Sequence, residues 1–115
     1  MIRLTLAALL IATPAAAADM AFFVKNLRAQ GVAVELFSRD RQKVWPGGDK
    51  VFFIRPKAQK SVPISCTPGE RICWGAWVDG NDHISAGVGP DNDQPCDNCC
   101  FICTEHSTET IDLVE

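Results

Sequence analysis

Apolar and polar residues alternate along most of this chain with a period of two, and no stretch beyond residue 18 shows the 3.6-residue period of an amphipathic helix. A period of two puts residues i and i+2 on the same side of a strand. Residues 20–26, "MAFFVKN", read as a first strand. Residues 31–38, "GVAVELFS", place Val32, Val34 and Leu36 on one face and Glu35 and Phe37 on the other. "KVWPGGDK" carries Trp45 into a Pro-Gly-Gly-Asp turn, and "KVFFIR" at 50–55 is a strand that Pro56 ends. In "SVPISC" at 61–66, Val62, Ile64 and Cys66 share a face, while Pro63 marks an edge or a bulge. "RICWGAWV" at 71–78 sets Ile72, Trp74, Ala76 and Val78 against Cys73 and Trp77. "HISAGVG" is a short strand, "PDNDQP" a loop, and Ile111 and Leu113 belong to a last strand. Short strands at regular spacing, separated by Gly, Pro and Asp turns, predict an all-β fold. The expectation is a small antiparallel sandwich of six or seven strands with a disulfide-stapled C-terminal segment.

The start of the chain reads differently. Arg3 is followed by the uncharged run "LTLAALLIA" at 4–12, then Pro14 and an alanine run with the A-x-A site Ala16-Ala17-Ala18. This is the pattern of an export signal, and the apolar run is far shorter than the ~20 residues of a membrane span. Residues 1–18 are therefore read as a signal peptide and 19–115 as a single domain, periplasmic or extracellular, with no membrane span after cleavage. A domain of this size gains only a modest core and needs staples.

Charge changes the picture along the chain. From 19 to 71 there are 10 Lys/Arg and 5 Asp/Glu; from 72 to 115 there are 9 Asp/Glu and no Lys/Arg. A nucleic-acid binder needs one positive surface, so nucleic acid is excluded as a partner. The two halves either neutralise each other across the fold or give a dipolar docking surface.

The six cysteines are Cys66, Cys73, Cys96, Cys99, Cys100 and Cys103, the last four within eight positions. Exported cysteines in even number point to disulfides. If 61–66 and 71–78 form a hairpin around Thr67–Glu70, Cys66 and Cys73 lie diagonally. Diagonal Cβ atoms are ~7–8 Å apart or somewhat less, against about 3.8 Å in a disulfide. Each is then expected to bond a cysteine of the 96–103 cluster, with the individual pairings open. A zinc site built from Cys66, Cys73 and the cluster is the alternative, although adjacent Cys99 and Cys100 point to opposite sides of an extended chain. A thiol oxidoreductase would want a CxxC at a helix start, and no helical pattern follows "QPCDNC".

Other chemistry is sparse. His83 or His106 could act on Ser85 or Ser107 in a small hydrolase, yet no nucleophile elbow or orienting carboxylate accompanies them. Asp79, Asn81 and Asp82, and Asp91, Asn92 and Asp93, form two oxygen-rich loops that could hold calcium, but neither matches a twelve-residue calcium loop. Trp45, Trp74 and Trp77 are mainly core candidates, one of the last two being exposed. Trp74, Trp77, Asp79, Asp82, Asp91 and Asp93 are the candidate ligand contacts. No cofactor motif is present.

The blocks "SCTPGERICWGAWVDG", "AGVGPDND" and "CDNCC" resemble a family of small, uncharacterised exported bacterial proteins, in which a C-x-x-G-E-x-I-C-x-G-A-W block precedes C-x-x-C-C. The similarity runs over residues 22–103 and implies a cysteine-stapled domain without implying an activity. The strands around "VKNLRAQGVAVELFSRD" are loosely similar to the von Hippel-Lindau β-domain sandwich, which bears on fold alone. Together these readings favour an exported, non-enzymatic binding module for an unknown protein or saccharide.

Overall fold

A computed structural model describes residues 17–115; residues 1–16, and with them most of the expected signal peptide, lie outside the described residues. The chain is all-β. Among the described residues, nine strands form two facing sheets. Six are six residues or longer: β1 (Ala18–Asn26), β2 (Val32–Ser38), β5 (Gln59–Cys66), β6 (Arg71–Val78), β7 (Asn81–Gly87) and β9 (Thr108–Leu113). Three are ribbons of two or three residues, β3 (Val44–Trp45), β4 (Phe52–Ile54) and β8 (Cys100–Ile102). β4 falls within the strand expected at 50–55; β3 and β8 raise the count above six or seven, because a period of two cannot be seen in so short a run.

The smaller sheet has the order β5-β1-β9. Here β1 runs antiparallel to β5, with Phe22 opposite Val62, and parallel to β9, with Val24 opposite Ile111. This parallel pair departs from the purely antiparallel expectation. A parallel neighbour needs a long crossover, and the crossover here carries the whole second sheet. That sheet has the path β3-β2-β6-β7, with β4 also on β2 and β8 also on β6.

Strands β5 and β6 do not form a hairpin. They lie in different sheets, and Thr67–Glu70 arches between the layers. Each strand has its own apolar face, Val62, Ile64 and Cys66 on one and Ile72 and Ala76 on the other, and all five are buried in one core cluster. Facing across the core buries both sets. Phe22, Leu36, Ile54 and Ile72 are among its largest fully buried side chains. Phe22 meets Phe101 edge to face with ring centroids 5.8 Å apart.

Buried polar groups are partnered where the chain turns. The Asn26 amide nitrogen donates to the carbonyls of Gln30 (2.8 Å), Arg55 (3.1 Å) and Ile54 (3.2 Å), and its oxygen accepts the Arg28 N–H (3.0 Å). Glu70, at the end of the arch, is buried. It accepts from Ser38 Oγ, from the Arg41 guanidinium and from the Thr67 N–H. Burial alone would raise its pKa, but those hydrogen bonds and the Arg41 charge outweigh it and hold the carboxyl at about 2.

A second, smaller core lies on the outer face of the large sheet, where Phe37, Cys73, Val88 and Cys99 are buried together. The loop after β7 crosses this face so closely that a Cβ at Gly75 would overlap the Gly89 carbonyl oxygen. Gly75 is therefore a residue of close approach, and Gly89, at φ +76°, takes the left-handed backbone that lets the loop fold back.

Candidate binding surface

All six cysteines are bonded: Cys66 to Cys103, Cys73 to Cys100, and Cys96 to Cys99. The first joins the end of β5 to the segment after β8. The second lies between opposed residues of β6 and β8. Together they fasten β8 to β6 and its end to β5, while Cys99 covers part of the outer face with Phe37, Cys73 and Val88. The zinc set considered from the sequence has no thiolate to offer in this state, since each sulfur is in a disulfide. Three disulfides are the signature of a non-reducing compartment.

The bridges differ in what they constrain. Cys96–Cys99 spans three residues, against 37 and 27 for the other two. Replacing Cys96 and Cys99 together by alanine is therefore expected to cost about 1.5 kcal/mol by loop entropy. Urea unfolding of the variant measures it, and a loss as large as that from opening Cys66–Cys103 would contradict this ranking.

Another part of the outer face is open. Phe53, Ala33, Trp77 and Ser85 stand opposite one another across β4, β2, β6 and β7 and so share that face. Ala33 is 1% exposed between two rings that remain accessible, Phe53 at 41% and Trp77 half-buried. The Phe53 ring lies over Gly31, leaving no room there for a side chain. Trp77 borders a shallow hollow with Gly80, Asn81 and Asp82. One row away, Glu35 lies on the same face opposite Gly75. Its pKa is raised, first by burial and then by the negative charges of Asp49 and Asp91. Glu35 also lines a second hollow with Gly47, Gly48, Asp49 and Lys50.

The six candidate contacts are thus divided. Trp77 and Asp82 share one hollow. The negative charge of Asp91, in the loop after β7, acts on Glu35. Asp79 sits in the β6–β7 turn, its N–H bonded to the Gly31 carbonyl at 3.0 Å, and Asp93 is exposed in the loop. Trp74 does not join them: it is half-buried between the two cores, and its N–H donates to the Cys99 carbonyl at 2.9 Å. Trp45 is core, with its indole N–H on the Ser65 carbonyl. Phe53 and Glu35 were missed as site residues. Their signal was present, since one of two adjacent phenylalanines in a strand points outward.

The acidic loops do not converge. Among the described residues no three His, Cys, Asp or Glu side chains are grouped to hold a metal ion. Ser85 exchanges hydrogen bonds with Gln94, and Ser107 Oγ donates to the Thr104 carbonyl, so both hydroxyls have partners other than a histidine. His106 pairs with Glu105 at 3.3 Å on the surface. No helix among the described residues is long and apolar enough to cross a membrane. The chain matches no protein-family model, no curated protein and no solved structure.

Proposed function

We propose that this chain is an exported, non-enzymatic binding module, working in the periplasm or the extracellular medium. Its recognition surface is the open half of the outer face. The observation that carries this reading is the Phe53–Ala33–Trp77 row, two accessible rings held on a rigid sheet beside Glu35 and Asp82. Accessible aromatic rings beside polar groups suit either a saccharide ring or the side chains of a protein. Two long-range disulfides keep the sheet rigid, so little order is lost on binding. With Cys96–Cys99 they leave no free thiolate to bind zinc.

The test is a panel of immobilised envelope glycans and peptides presented to the wild-type domain and to Trp77→Ala. Retention of a panel member by the wild type, weakened at least tenfold in the variant, is expected for an anchoring aromatic side chain. Equal retention by both would remove this face from the function. Turnover of any panel member would end the non-enzymatic reading.

A further inference from the structure

The sandwich is unfinished along one edge. The smaller sheet ends at β9, and the larger sheet ends at β7. On β7, Ala86 stands opposite the core residue Ala76 and so points toward the space between the sheets, and Ile84, at the bulge that follows, lines the same space. Nothing in the smaller sheet reaches far enough to cover them, and Ile84 is 42% exposed. Together with Val78, Leu113 and Val114 they line a shallow apolar cleft between β7 and β9. One more strand beside β9 would close it.

The backbone of β9 is in phase for such a strand. The N–H of Ala21 bonds the Ser107 carbonyl, and the N–H of Leu27 bonds the Leu113 carbonyl. In a parallel pair alternate residues serve one neighbour, so 107, 109, 111 and 113 serve β1. Thr108, Thr110 and Asp112 then turn both backbone groups to the free edge.

The four outer edges are not treated alike. On β5, Lys60 and Pro63 are exposed, and Arg55-Pro56 follows β4. Lysine and proline are the usual means of blocking strand addition. Neither β7 nor β9 contains either residue or an arginine. Both instead carry acidic residues: Asp82 on β7, Glu109 and Asp112 on β9. Arg28 also lines the cleft, where its guanidinium donates to the Val114 carbonyl at 3.1 Å.

From this we propose that the β7–β9 edge binds an extended, cationic segment of a partner protein by strand addition to β9. Backbone groups of the segment pair with Thr108, Thr110 and Asp112. Its apolar side chains, at alternate positions, cover Ile84 and Ala86. Its cationic side chains, at the positions between, share the outward face of Asp112. A second copy of this chain is a poorer occupant. Two such edges would bring acid against acid, and the basic β5 edge is blocked by Pro63.

The cleft shares Trp77 with the recognition surface but not Phe53, so a change at Phe53 tells the two sites apart. The probe is a seven-residue peptide alternating lysine and valine, with a block peptide of the same composition as control. Binding is read by fluorescence anisotropy and by amide exchange at Thr110 and Asp112. The alternating peptide is expected to bind at least tenfold more tightly than the block peptide and to slow both amides. Ile84→Lys, at an exposed position that leaves folding intact, is expected to weaken it at least tenfold, while Phe53→Ala leaves it unchanged. Equal affinity for the two peptides, or no effect of Ile84→Lys, would overturn the proposal. So would a concentration-dependent dimer in sedimentation that protects the same amides without peptide.

Discussion

Replacing Cys66 and Cys103 together by alanine is expected to lower the free energy of unfolding by about 4 kcal/mol. The bridge closes 37 residues, the longest of the three loops, and both cysteines are 2% exposed. Cutting it frees the unfolded chain more than cutting either other bridge. The same reasoning gives ~3.5 kcal/mol for Cys73–Cys100. A domain of this size has only ~5–15 kcal/mol in total, so the Cys66–Cys103 variant stands close to its unfolding threshold. Alanine keeps the site apolar and avoids adding a buried hydroxyl. Urea unfolding of wild type and double variant, compared at equal slope, measures the loss. A loss under 1 kcal/mol would mean that β5, β8 and the arch hold their geometry without the bridge.

Much of this architecture was legible because strand alternation reports burial directly. Val32, Val34 and Leu36 fell on one face and Phe37 on the other, and the two sets enter two different cores. What alternation cannot report is which strand lies beside which. The segments 61–66 and 71–78 each showed one apolar face, and that pattern fits a hairpin and a pair of facing layers equally well. The four-residue connection suggested a hairpin. The structure makes it an arch, in which Glu70 ties the turn to Ser38 at the end of β2 and to Arg41 in the β2–β3 connection, on the side of the larger sheet. The parallel β1–β9 pair was hidden for a similar reason, since it depends on contacts between residues more than 80 positions apart. At the candidate surface, Trp77 and Asp82 were visible as residue types, but their shared hollow required the register of β6 with β7. Phe53 and Glu35 became site residues only once the loop after β7 was seen to cover one half of the face and leave the other open.

Glu70→Gln is expected to cost about 2 kcal/mol at neutral pH, and the cost should vanish in acid. The carboxyl moves from 4.5 to about 2 on folding because Arg41, Ser38 and the Thr67 N–H together overcome its burial. At ~1.4 kcal/mol per decade that difference has a ceiling of ~3.5 kcal/mol. The Arg41 side chain is 46% exposed, so water screens part of the pair and lowers the figure to ~2 kcal/mol. The sign follows from the depressed pKa. The folded state binds the proton less readily than the unfolded state, so the contribution is complete above about 4.5 and is lost as pH falls toward 2. Glu35 has the opposite sign. Its raised pKa makes ionisation costly in the folded state, so its contribution weakens as pH rises through that raised value. Unfolding of wild type and Glu70→Gln should therefore be followed by urea titration at intervals from pH 2 to 7. The two curves are expected to lie apart above pH 5 and to converge near pH 2. Parallel curves over the whole range would show that Glu70 acts through shape and hydrogen bonding alone, and that its charge contributes nothing to holding the arch between the sheets.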